Sequence, residues 1–261
     1  MKNNCMNGIK FNLNKINNKK HVVNWLFLIT LGFIWGGSFL SVELALTNFK
    51  PLTIVLLRVL LAAIILVMIS IIFRLKFPNY RNKTDRKILL HCFGMGLFTN
   101  ALPFSLLTWG QQLVTSSFAG LTMALVPLTI LPLSFIFIGE KVTKIKIFGF
   151  VLGFFGVLFL IGIENIFYQK INNFFLILSK LACISSTFCY AFGAIITRLC
   201  PPVHPIIFAS CGLIFASIIL LPFVILIEGI PNFSFSIPLL SLLYLAIFPT
   251  AFATILLTII I

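Results

Sequence analysis

The chain has 261 residues, of which 60% are apolar by type and 9% charged, and its mean hydropathy of +1.15 lies far outside the range of soluble globular domains. That excludes a soluble enzyme or binding module. The formal net charge of +14 raises nucleic acid or anionic lipid as a partner, so the placement of the charges has to decide between them.

A hydrocarbon layer ~30 Å thick is crossed by about 20 apolar residues in a helix. Runs of that kind lie at 25–46, 51–73, 88–110, 115–138, 147–163, 174–197, 203–227 and 238–261. A β-barrel would instead alternate apolar and polar residues over segments of about 10, and no such alternation occurs. The expected fold is all-α: a polytopic membrane protein of about eight transmembrane helices.

Residues 1–24 form a polar tail without a cleavable signal pattern, read as cytosolic. With the N-terminus inside, one side of the membrane holds Lys2 to Lys20, Arg74 to Lys87, Lys141 to Lys146 and Arg198, fifteen of the nineteen basic residues. That distribution follows the positive-inside rule. The charge therefore reports topology, and the expected partners are the lipid bilayer and a small-molecule substrate, not nucleic acid. The expected location is the cell (inner) membrane, with multiple passes and a cytoplasmic N-terminus. The six cysteines lack paired metal spacing, so no metal and no cofactor are expected.

The two halves match weakly at an offset of roughly 150 residues. Pro51 and Pro205 each open an apolar run, and 97-LFTNALPF-104 and 247-IFPTAFAT-254 each combine Phe, Thr and Pro within one. A first unit of five spans, at 25–163, is odd in number. A second copy, at 172–261, would then enter the membrane from the opposite side, the inverted repeat of many secondary transporters. That second unit reaches three helices before Ile261, so it reads as truncated.

WGGSF in the first span, Arg58 in 56-LLRVLLAA-63, Pro127, the Gly139-Glu140 pair and 149-GFVLGFFGVL-158 stand in an order and spacing that resemble the EamA domain of the drug/metabolite transporter superfamily. The resemblance implies ten spans in two inverted five-helix units, among relatives that include exporters and importers. This chain is similar to a C-terminally truncated member.

Candidate cavity residues are polar groups at mid-span. Trp35 lies ~15 Å deep at 1.5 Å per residue, with Ser38 and the glycines Gly32, Gly36 and Gly37 beside it. Two readings stay open for these glycines, a G-x-x-x-G packing face and a cavity wall. Asn100 and Tyr190 carry groups that lipid does not satisfy, and Thr250 is mid-span in the eighth run. Prolines 103, 127, 132, 222 and 249 interrupt spans and free backbone carbonyls. Arg58 and Glu43 are expected to form a structural ion pair near the outer side, and Lys180 either snorkels or presents a cation. The glycines 149, 153 and 156 are expected to let the fifth helix pack closely.

No H-E-x-x-H, G-x-S-x-G or G-x-x-x-x-G-K-[ST] pattern is present, which argues against an enzyme and a self-contained ATP-driven pump. Channel-type filter motifs are also missing. The expected function is a secondary transporter moving a small organic metabolite, an amino acid or related compound, by alternating access. The alternative is a truncated or decayed fragment without activity. A homodimer is one way in which exposed packing faces of the shorter second unit would be covered.

Overall fold

The structure is a computed structural model that describes residues 2–139, 143–161, 174–229, 231 and 236–260. Glu140, expected to mark the cytosolic end of the fourth span, and the end of the fifth expected span lie outside the described residues.

Helix α1 is Lys2–Ala45, and its apolar portion is Val23–Ala45. It is followed by α2 (Pro51–Ile72), α3 (Lys83–Gly110), α4 (Ser116–Ile138) and α5 (Lys144–Ile161). The second half contains α6 (Phe174–Arg198), α7 (Pro205–Glu228) and α8, which runs as Ile237–Ala246, Ile247–Phe252 and Ala253–Ile260. Among the described residues there is no strand, and seven helices are long and apolar enough to cross a membrane. The chain is an all-helical, multi-pass membrane protein.

Helix ends follow local chemistry. Pro51 and Pro205 occupy the first helical position of α2 and α7, where a missing N–H costs nothing. Thr115 Oγ1 accepts the Phe118 N–H at 3.3 Å to cap α4. Gly139, with φ of +72°, ends α4 in the left-handed region that favours glycine.

Three of the five prolines expected to break helices, Pro103, Pro127 and Pro249, sit at or beside irregular turns. A π turn at Gly96–Ala101 precedes Pro103, a 3₁₀ turn at Met123–Leu125 precedes Pro127, and a π turn at Ile247–Phe252 contains Pro249. Widened and tightened turns take up the hydrogen bonds that proline disrupts. Pro132 and Pro222 remain inside α-helical geometry.

Helices α2 and α7 form the centre of the molecule. Val55, Val59, Ala62, Ala63 and Leu66 of α2 pack with Ala209, Leu213, Ala216 and Leu220 of α7 in one buried cluster. Helix α1 lies along α8, burying Val42 and Ala45 with Leu242 and Leu245. Helix α3 lies along α6, burying Leu107 with Cys183. Because lipid tails are as apolar as these side chains, close packing rather than hydrophobic transfer holds such helices together. The small residues matter for that reason.

The glycine expectations are corrected in part. A Cβ on Gly32 or Gly36 would meet nothing within 4 Å, whereas one on Gly37 would lie 2.9 Å from the Tyr244 hydroxyl. The close approach of α1 to α8 thus falls one residue later than the G-x-x-x-G spacing implies. In α5 only Gly153 faces a neighbour, Leu128, while Gly149 and Gly156 face open space. Large apolar side chains such as Phe33 and Leu226 point outward, as a lipid-facing surface requires.

Candidate functional site

Arg58 of α2 is the buried charge around which the polar groups gather, at 8% exposure. It lies seven residues past Pro51, ~10 Å into the helix at 1.5 Å per residue. Its Nε donates to Thr250 Oγ1 of α8 at 2.9 Å, and its guanidinium carbon sits 3.8 Å from the centroid of the Phe104 ring of α3. Tyr190 of α6 meets the same Phe104 ring edge-on, with centroids 6.3 Å apart. Trp35 of α1 completes the group: its Nε1 donates to the Pro249 carbonyl at 3.3 Å, next to Thr250. Five helices from both halves of the chain converge here.

A charge at mid-membrane costs ~2.5–3.5 kcal/mol on insertion scales. A hydrogen bond to a charged group returns ~1.5–3 kcal/mol, and a desolvated cation–π contact about 2 kcal/mol. Thr250 and Phe104 therefore offset the cost of burying Arg58 without a carboxylate. Thr250 is itself held in place, because its hydroxyl donates to the Leu245 carbonyl at 2.8 Å.

The expected Glu43–Arg58 ion pair is not formed. Glu43 is exposed on α1 and its carboxylate accepts the Ser116 N–H at 3.1 Å, while Arg58 points toward α3 and α8. The physical reason lies at the first turn of α4: its unsatisfied N–H groups and positive dipole end attract the carboxylate. Glu43→Gln should therefore lower stability by no more than about 1 kcal/mol, the scale of one exposed helix-end charge. An unchanged thermal midpoint in detergent to within a few degrees is the result expected.

Of the other expected cavity residues, the structure joins Trp35, Tyr190 and Thr250 through Pro249, Phe104 and Arg58. It does not join Ser38 or Asn100 to them by hydrogen bonds. Ser38 Oγ donates to the Trp35 carbonyl at 2.6 Å within its own helix. Asn100 is buried and its Nδ2 lies 3.5 Å from the Met95 carbonyl, again within its own helix. Lys180 stands 5.9 Å from the Phe118 ring centroid.

Asn100 and Thr250 nevertheless occupy matching places. Each bonds the carbonyl five residues earlier, Met95 or Leu245, across a π turn. The neighbouring helices differ: Arg58 of α2 fills the space beside Thr250, whereas a Cβ on Gly212 of α7 would collide with Met95 Sδ. One side is spaced by a guanidinium and the other is pressed shut.

Sequence reading assigned Arg58 to an ion pair and did not single out Glu228. That carboxylate accepts the Leu52 N–H at 2.9 Å, the Thr53 N–H at 2.7 Å and the Thr53 hydroxyl at 2.7 Å. Lys50 Nζ in return donates to the Glu228 carbonyl at 2.9 Å. The start of α2 and the end of α7 thus cap each other. A signal existed in the isolated acid at a span end facing the proline-led start of another.

Thr250→Val should cost about 1–3 kcal/mol, because it leaves a buried guanidinium N–H unpaired. A thermal midpoint in detergent several degrees below wild type checks this, with Thr250→Ser expected to recover most of the loss.

A bundle of apolar helices converging on one buried cation defines an integral membrane protein built around an internal polar point, and its relatives are transporters. The chain belongs to the EamA-like transporter family, whose profile matches residues 24–162. It is 26% identical to an uncharacterized transporter of Archaeoglobus fulgidus, over 87% of this chain and 76% of that one. An uncharacterized transporter in the trpA 3′ region of Buchnera aphidicola subsp. Schlechtendalia chinensis is 31% identical over 51% of this chain and 42% of its own. The uncharacterized transporter YoaV of Bacillus subtilis is 27% identical over 53% of this chain and 46% of its own. A crystal structure of a protein 17% identical in sequence superposes with a TM-score of 0.62, covering 91% of this chain and 78% of that one, which shows a shared fold.

Proposed function

We propose that this protein is a secondary transporter that moves a small organic metabolite, an amino acid or related compound, across the cell membrane by alternating access. The observation that carries the reading is the convergence of Trp35, Arg58, Phe104, Tyr190 and Thr250 from five helices at one polar point. Transporter sites form in this way, at the interface of repeats and beside discontinuous helices.

Two units of opposite orientation, at 25–163 and 172–261, agree with the packing. Exchanging α1 with α6, α2 with α7 and α3 with α8 turns the α1–α8 contact into the α6–α3 contact and leaves α2–α7 unchanged. The π turns at Gly96–Ala101 and Ile247–Phe252 exchange as well. In this reading the N-terminus is cytoplasmic, the site is Trp35, Ser38, Asn100, Tyr190 and Thr250 with Arg58 added, and the units rock about the α2–α7 contact.

Uptake of a radiolabelled metabolite panel into vesicles tests the proposal, with Trp35→Ala and Asn100→Ala as comparisons. Accumulation of one class, reduced at least about tenfold by Trp35→Ala, is expected. Equal uptake in the wild type and both variants would overturn the site. Vesicles that accumulate nothing from the panel would favour a chain without transport activity.

A further inference from the structure

We infer that the pocket between the ends of α1 and α3 is a binding site for a small organic cation, its ammonium group held by Glu43, Gln111 and Gln112. The pocket has a volume of about 490 Å³, and its walls include Glu43, Gln111, Gln112 and Thr115 with the apolar Leu46 and Leu113. That volume suits a small organic molecule. The pocket shares no residue with the group around Arg58, and the inference does not depend on transport. Gln111 is 5% exposed, and its Nε2 donates to the Phe39 carbonyl at 2.9 Å. A carbonyl only accepts, so this bond fixes which way round the carboxamide lies. Gln112 Nε2 likewise donates to the Trp109 carbonyl at 3.3 Å, and Glu43 accepts the Ser116 N–H through Oε2. Among the described residues, Glu43 Oε1 and the two carboxamide oxygens therefore receive no donor.

The backbone favours the same charge. Leu46 follows the last turn of α1, and Gln111 to Thr115 follow the last turn of α3, so two helix C-termini, each a partial negative charge, meet at the pocket. Neither last turn contains a basic residue. Glu43 adds a full negative charge near the end of its own helix, where the dipole disfavours an acid, and the Ser116 N–H offsets only part of that. Lys50 is committed to the Glu228 carbonyl and Lys180 faces the Phe118 ring; neither lines the pocket. A ligand that brings a positive charge and N–H donors satisfies all of these groups at once, whereas an anion would face the carboxylate and both C-termini. Calcium takes about 6–8 oxygen ligands, more than these side chains present, and the walls formed by Leu46 and Leu113 suit the apolar body of an organic amine.

The test is isothermal titration of the full chain in maltoside detergent, which offers no ammonium headgroup, at low ionic strength so that the charge is not screened. The probes are 3-phenylpropylamine, protonated at neutral pH, and 3-phenylpropan-1-ol, which keeps the shape and loses the charge. The amine should bind at least about tenfold more tightly than the alcohol, the scale of charge-assisted hydrogen bonds. Glu43→Gln, which keeps an acceptor for the Ser116 N–H, should abolish that preference. Gln112→Leu should weaken the amine several-fold and leave the alcohol unchanged. Amine and alcohol binding equally to the wild type, or neither binding at millimolar concentration, would overturn the inference whatever the folding of the variants. So would a preference that survives Glu43→Gln, because the amine would then sit elsewhere in the molecule. Sodium or calcium ions that displace the amine at a lower concentration than the amine itself requires would assign the pocket to an inorganic cation and overturn the organic one.

Discussion

Gly96→Val should prevent the chain from reaching its folded state. A Cβ at Gly96 would collide with the Gly212 carbonyl and lie 3.2 Å from both the Ala216 nitrogen and Phe215 Cβ. Two of those three are backbone atoms of α7, and no rotamer change moves them. Overpacking of side chains in a core costs about 1–3 kcal/mol; a clash of backbone against backbone exceeds that, because whole helices have to separate. The site would be lost too, since Phe104 is carried on the segment that follows Gly96. Gly96→Ala should be a milder form of the same defect. Gly156→Ala, where the new methyl would meet nothing within 4 Å, should be neutral. Monodispersity on size-exclusion and thermal midpoints in detergent check the series. A Gly96→Val protein as stable as wild type would mean that α3 and α7 do not cross at this point.

Glu228→Ala should rank next. The carboxylate accepts three hydrogen bonds from the first turn of α2, and each hydrogen bond to a charged group contributes ~1.5–3 kcal/mol. Water reaches this half-buried site and replaces part of what is lost, so about 3 kcal/mol is expected. Glu228→Gln keeps one acceptor oxygen and should fall between. Because Lys50 bonds the backbone carbonyl of Glu228 rather than its carboxylate, Lys50→Ala should cost far less. Equal losses for the two substitutions would show that the clamp works through net charge and not through the helix cap.

The spans were legible in the sequence because lipid imposes a length and a composition. Pro51 and Pro205 mark ends that the structure repeats within a few residues, while α3 begins at Lys83, ahead of the expected start at 88. Partners across the fold were not legible. Arg58 and Thr250 are 192 residues apart, and Glu228 and Thr53 are 175 apart. No periodicity connects such positions, and proximity along the chain pointed to an acid, Glu43, where the structure places a hydroxyl and an aromatic ring against Arg58. Trp35 and Thr250 could be singled out because a polar group at mid-span has to be satisfied somewhere. Ser38 illustrates the limit of that reasoning, since a serine can satisfy itself on its own helix. The glycines were legible in part: the G-x-x-x-G spacing named Gly32 and Gly36 as a packing face, but the small-residue contact depends on which way α1 faces α8, and it is Gly37, the third glycine expected beside Trp35, that faces Tyr244.

The π turn in α3 also sets a phase. An i→i+5 turn amounts to one residue added to an α-helix, and each α-helical residue turns the chain by about 100°. Everything from Leu102 onward is therefore rotated relative to the face that α3 presents at Cys92 and Met95. That rotation places Phe104 against Arg58 while Cys92 faces α7. The length of α3 before Phe104 is consequently quantised. Losing one residue there would not merely shorten the helix; it would swing the ring off the guanidinium, whereas the same loss in the loop before Lys83 would leave that register intact.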